Sequence, residues 1–413
     1  GVQDVQTDRA EQIRALNPDI TIIAHCAVSY HGGHADPPIN GDLLDKVNAE
    51  NWWLRDASGN RVADGCGGHI LNLSTLCEPD AHGKRLCDWL PEYIAERLGP
   101  GGVWDGLFLD GAWERVAWLS PTIDCDGDGM ADGRIAVNES WREGLHHAAG
   151  RLRELVGSEY ILTTNGNNTL YDVCDGGTRE NFPEMHGGWL DNILNEEHGY
   201  RALNGRYRSP SISIINTIWE GPVDDNGPIV SSEYVRELRL GLTSTLVHGE
   251  GYFSFDGGQG LPCHNQMWWH DLYDVDLGVP LGGAITPDAF PGDMWWVALG
   301  DMIGLRRFSK GVAVVNPSTF NQVVELGGSY FDITSWNGSF YPRESAKERT
   351  TVKAMSGDVL VGCGRLMNGV ATLEADVPER GSVHLEWREV PGASGYSVYR
   401  ETRTESGYGD RCL

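Results

Sequence analysis

Through the first 280 or so residues, short apolar runs alternate with stretches of helical spacing, and that alternation leaves few folds open to the chain. Runs at 20–24, 70–73, 107–110, 160–164, 177–181, 212–216 and 251–255 read as strands. Stretches at 6–16, 86–98, 141–156, 189–197 and 231–247 read as helices, the last with a serine pair at its start that suits an N-cap. Strands that alternate with helices imply βαβ units and a parallel sheet. The expected architecture is therefore α/β, a (β/α)8 TIM-type barrel. Seven strands are counted and the sequence opens on a helix, so the first strand of the barrel is expected either to be missing or to be supplied in some other way.

The pattern changes near residue 304. Short Val-rich runs at 312–315, 323–326, 330–333, 351–353 and 359–361, separated by Gly, Asn and Pro, read as a small antiparallel β-domain. Runs at 382–387 and 395–400 are similar to the opening strands of a fibronectin type III module, cut short. The expected divisions are a barrel domain over 1–300, the β-domain over 301–368 and the partial fibronectin-like segment over 369–413.

Within the barrel region, Gly106-Leu107-Phe108-Leu109-Asp110-Gly111 reads as a buried strand that ends on an acid. The C-terminal ends of barrel strands carry the chemistry of such folds. Asp110 thus suits a nucleophile or proton-transfer partner at a glycosidic bond, against the plainer role of helix cap or salt-bridge partner. Glu180, at the end of the expected sixth strand, is the second acid, with Glu184 the competing choice. His25, Asn165, Glu220 and Asp256 fall at the ends of other strands and fit the same rim as substrate hydrogen-bonders. Trp113, Glu114 and Trp219 lie close by, and Trp offers a platform for a sugar face.

Asp124, Asp126, Asp128 and Asp132 occupy positions 1, 3, 5 and 9 of a calcium-type loop, with Gly129 at the sharp turn and the Met130 carbonyl at position 7. Position 12 is Ile135 where an EF-hand has Glu, so Glu139 is left to close the shell. Structural Ca2+ is expected. The histidines His25, His31, His34, His146 and His147 have no regular ligand spacing, which speaks against zinc.

The net charge of −27 disfavours nucleic acid and anionic membranes as partners. No apolar run is long enough for a membrane span. The nine cysteines show no CxxC pair; Cys66 with Cys77 or Cys87 is the first guess for a disulfide. Together with sequons at Asn72, Asn138, Asn167 and Asn337, the calcium-type loop suggests a secreted, extracellular protein.

Residues 1 to about 300 resemble the TIM-barrel hypothetical glycosyl hydrolases and the relatives of endo-α-1,4-polygalactosaminidase. The resemblance rests on Asn17-Pro18-Asp19-Ile20, Trp104 to Asp110, the calcium loop, Arg179-Glu180-Asn181-Phe182, Leu277 to Pro280, and Arg306-Arg307-Phe308 with Val314 to Pro317. It implies a glycoside hydrolase whose acid pair is Asp110 and Glu180 and whose partner is a carbohydrate. The rival reading is a non-catalytic carbohydrate-binding or structural protein that self-assembles on a glycosidase-like barrel.

Overall fold

A computed structural model describes residues 6–33, 35, 38–65, 67–166, 168–184, 187–224, 227–249, 251–257, 266–267, 269–281, 295–297, 301–332, 346–362, 373–379, 382–387, 399–404 and 407–412. The chain forms two compact units, Gly1–Glu180 with Leu194–Ile214, and Asn181–Ile193 with Ile215–Leu413.

The first unit holds four parallel strands in the order β1 (Ile23–Ala27), β2 (Gly106–Asp110), β3 (Ile161–Thr164) and β4 (Gly176–Arg179). Their register sorts the side chains by period two. Ala24, Cys26, Leu107, Leu109 and Leu162 point one way and are buried. They pack with Leu90 and Ile94 of the Leu86–Leu98 helix and Leu145, Ala149 and Leu152 of the Arg134–Val156 helix. His25 pairs with Phe108, and Phe108 with Thr163, which itself pairs with Gly176. Stepping by two from these partners places Asp110, Asn165 and Glu180 on the opposite face, at the C-terminal strand ends.

The other end of this sheet is tied down by buried charge. Arg153, from the Arg134–Val156 helix, donates to Asp175 Oδ2 at 2.7 Å and to the carbonyls of Val173, Gly157 and Tyr160. Asp175 also accepts from the Leu162 amide at 2.8 Å and from Arg208 at 3.2 Å. Both oxygens of the buried carboxylate thus accept hydrogen bonds, two of the three from arginines, which is what makes so buried an ion pair tolerable.

The second unit holds two further parallel strands, β5 (Ile214–Trp219) and β6 (Tyr252–Gly257), and the Ser232–His248 helix. The expected N-cap is present, since Ser231 Oγ accepts from the Tyr234 amide. The unit also carries an antiparallel sheet built from Asp301–Arg307, Gly311–Asn316, Ser356–Gly362, Gln322–Asp332 and Lys347–Val352. Two antiparallel hairpins follow, Leu373–Glu379 with Ser382–Trp387 and Tyr399–Thr404 with Gly407–Cys412.

The parallel strands thus number six among the described residues, four in the first unit and two in the second, where seven were expected. The run at 70–73 is the difference. Only His69–Ile70 is extended, and it pairs antiparallel with Tyr30–His31. Leu71 and Leu73 are apolar because they are buried in loop backbone, where the Leu71 amide bonds to the Ser29 carbonyl. The strand expected at 212–216 is shifted to β5.

The disulfide guess is also corrected. Cys77 and Cys87 are free, buried thiols, packed into the core with Trp52 and Leu86, so neither bridges; Cys66 lies outside the described residues. The Asn72 sequon presents nothing to solvent, because its amide is buried and donates to the Cys125 carbonyl at 2.7 Å. Among the described residues no helix is long and apolar enough to cross a membrane.

Candidate active site

Asp110 closes β2, and the chain then turns through Gly111 at φ +69°, where an added Cβ would meet Ser29 Oγ at 2.5 Å. Only glycine takes that turn without strain. The turn brings the Gly111 amide back onto Asp110 Oδ1 at 2.9 Å.

Three side chains complete the carboxylate's surroundings. Tyr30 donates its hydroxyl to Asp110 Oδ2 at 2.5 Å, and His25 Nε2 lies 3.2 Å from the same oxygen. Asn165 Nδ2 donates to Oδ1 at 3.0 Å. Burial on its own would raise the Asp110 carboxyl. The hydrogen bonds from His25 and Tyr30, the His25 charge and the Asn165 amide outweigh it and hold the acid at about 2. The Tyr30 phenol moves far the other way, first through burial and then through the Asp110 carboxylate, so it stays a fixed donor.

The same Asn165 nitrogen donates its second hydrogen to Glu180 Oε2, also at 3.0 Å. One planar amide group therefore spans both acids. The two oxygens lie no further apart than two such bonds laid end to end. With both bonds at 3.0 Å, that limit is about 6 Å.

Of the residues expected at the rim, His25, Asp110, Asn165 and Glu180 come together in the first unit. Trp113 joins them indirectly, its ring stacked near Tyr30 at 6.4 Å between centroids. Glu114 turns away. It accepts from His146 at 2.6 Å and from the Thr169 amide and hydroxyl, and although burial raises it, those bonds hold it at about 2. Its role is to tie two loops to a helix.

The remaining three belong to the second unit. Trp219 is buried with its ring edge-on to Tyr234, so it offers no open face. Glu220 is exposed. Asp256 is buried and accepts from Asn216 at 3.1 Å. Tyr30 was not anticipated, because its partner is 80 positions away in sequence and nothing local marks it.

The acidic loop is folded around its own carboxylates. Asp124 accepts from the Gly127 and Gly129 amides, Asp128 from Met130, and Asp132 from Cys125. Oxygens of Asp124, Asp126 and Asp128 lie within 4.8 Å of one another, inside the roughly 5 Å span of a calcium ion's shell. The Asp128 amide pulls Asp126 down, yet burial and the Asp132 and Asp128 carboxylates leave it raised, the signature of negative charges pressed together. An all-oxygen donor set with that geometry fits Ca2+. His146 and His147 are each paired with a carboxylate, Glu114 and Asp88.

Asp110 and Glu180 are thus two acids bridged by one amide at the ends of parallel strands. The family model described as "Hypothetical glycosyl hydrolase family 15" matches residues 14–312, and the chain belongs to that family of glycoside hydrolases. Among solved structures it is similar to a glycoside hydrolase at 12% identity, covering 67% of this chain and 68% of that one with a TM-score of 0.34. It is similar to a glycoside hydrolase family 5 protein from Bacteroides vulgatus at 12% identity, 67% and 65% coverage and a TM-score of 0.36. It also matches the cycloalternan-degrading enzyme from Trueperella pyogenes at 14% identity and a TM-score of 0.42, covering 86% of this chain and about half, 52%, of that one. No curated protein matches the chain.

Proposed function

We propose that the chain cleaves a glycosidic bond in a poly- or oligosaccharide with retention of configuration, by double displacement. Asp110 is the nucleophile and Glu180 the acid that protonates the leaving oxygen and then activates water. The observation that carries this reading is the Asn165 bridge. Acids about 5 to 5.5 Å apart suit direct attack, whereas an inverting pair needs about 6.5 to 9.5 Å to admit a water. The bridged oxygens, no more than about 6 Å apart, lie closer than an inverting pair requires.

The charge arrangement supports the same roles. A nucleophile must be ionised at working pH, and Asp110, held at about 2, is ionised throughout the neutral range. Tyr30 and His25 orient Oδ2 and stabilise its negative charge until attack, while Trp113 shapes a sugar subsite. Glu220 and Asp256 are assigned to substrate binding only.

In this reading Asp124, Asp126, Asp128, Asp132 and the Met130 carbonyl hold a structural Ca2+, which would cancel the repulsion among the carboxylates and stiffen the loop. The finer architecture is a (β/α)8-type barrel over 1–300 that lacks its first strand, with an antiparallel domain over 301–368 and a partial fibronectin-like segment over 369–413. The protein works outside the cell.

The test is the stereochemical course. A panel of aryl glycosides is screened for turnover, and proton NMR then identifies the first anomer released. Retention is expected, with Asp110→Asn and Glu180→Gln each lowering kcat by about 10²- to 10⁴-fold. An inverted first product refutes the double displacement. Full activity in either variant refutes the residue assignment.

A further inference from the structure

The aromatic residues beside Asp110 do not stop at the reacting centre. Tyr30, which bonds Asp110, stacks near Trp113 at an interplanar angle of 21°. Trp113 in turn meets Trp118 edge-on, 5.8 Å between centroids. Trp118 is 58% exposed, an unusual position for the largest apolar side chain.

Its surroundings fix it in that position. The Trp118 indole N–H donates to the Arg115 carbonyl at 3.0 Å, so the one polar group of the ring is used locally and the exposed remainder is apolar. The loop beneath is pinned from the Arg134–Val156 helix, where Asn138 Oδ1 accepts from both the Val116 and Ala117 amides at 3.0 Å. Val116 and Ala117 are buried, and the Leu119 amide closes a turn on the Val116 carbonyl. Trp113 is held likewise, its carbonyl accepting from Trp141 Nε1 at 2.7 Å. A mobile Trp would fold onto the surface; this one is held out on a rigid loop.

We propose that Trp118, with Trp113, forms a sugar-stacking track leading away from Asp110, so that the substrate is a neutral glycan chain several units long. The C–H faces of pyranose rings are the chemistry that matches exposed indole faces. The track is continuous with the carboxylate pair through Tyr30, which commits the occupant to the glycan whose bond is cleaved there. This inference rests on the glycosidase reading for its occupant. It goes beyond that reading in assigning Trp118 and chain length.

The experiment is affinity electrophoresis of the full chain in gels containing dextran, pullulan, xylan or galactan, run for the wild type, Trp118→Ala, Trp118→Phe and Asp110→Asn. The expected result is retardation of the wild type in at least one gel. Trp118→Ala should weaken it at least about tenfold, as loss of an apolar face of this size implies, and Trp118→Phe should restore most of it. Asp110→Asn should be retarded like the wild type, which separates the two ideas. If Asp110→Asn keeps full turnover, the catalytic reading fails while the retardation still judges the track. Equal retardation of Trp118→Ala and wild type overturns the track, and so does a wild type retarded in none of the four gels.

Discussion

Replacing Tyr30 by Phe removes one oxygen and with it the shortest contact to the candidate nucleophile, the 2.5 Å bond to Asp110 Oδ2. A hydrogen bond to a charged group is worth about 1.5 to 3 kcal/mol, and one pKa unit is 1.36 kcal/mol. The substitution should therefore raise Asp110 by about 1 to 2 units, from about 2 to between roughly 3 and 4. The sign follows from the ionised form being the reactive one. Activity is present above the Asp110 pKa and is lost as pH falls through it. In the wild type that acidic limb lies near 2, below most working buffers.

In Tyr30→Phe the limb should enter the accessible range, while the alkaline limb, set by the acid that protonates the leaving group, stays in place. The assay is kcat/KM against pH from 2.5 to 8 on an aryl glycoside the wild type turns over, with urea unfolding at pH 7 run in parallel. Stability should fall by about 1.5 to 3 kcal/mol. A stability loss with an unmoved acidic limb would show that Tyr30 is structural alone and that Asp110 does not control the reaction.

Removal of divalent cations with EDTA should lower the melting temperature, and added Ca2+ should restore it; at one hundred times Kd the gain is about 2.7 kcal/mol. Asp124→Asn should abolish the response, and identical melting curves with and without Ca2+ would dismiss the site. Asp175→Asn leaves the Arg153 guanidinium buried without its counter-charge, so unfolding free energy should fall by about 3 to 5 kcal/mol. A loss below about 1 kcal/mol by urea titration would mean that Arg153 is satisfied by the Val173, Gly157 and Tyr160 carbonyls alone.

Local periodicity exposed most elements of the fold. The Leu86–Leu98 helix and the strand ending at Asp110 lie where the pattern puts them, because each owes its apolar spacing to a single continuous interface. The 70–73 run misleads for a physical reason: burial makes a segment apolar whether or not its backbone joins a sheet. At the site, Asp110, Glu180, His25 and Asn165 were readable as polar ends of strands, and the register explains why they share a face. Tyr30 was not readable, since its hydroxyl serves a residue brought near only by the β1–β2 pairing. Trp219 was misleading in the opposite way, because an indole beside an acid looks the same in sequence whether it faces a sugar or, as here, Tyr234.

The group that joins the two acids is an amide, and an amide neither gains nor loses a proton in water near neutral pH. In the double displacement proposed above, Glu180 gives up a proton and takes one back, and Asp110 passes from anion to ester and returns. The Asn165 tether keeps the same donors through each of those charge states. A histidine or a lysine in its place would change its own charge as its neighbours changed theirs. A tether of this kind uncouples the spacing of the pair from the proton traffic that the proposed mechanism assigns to it.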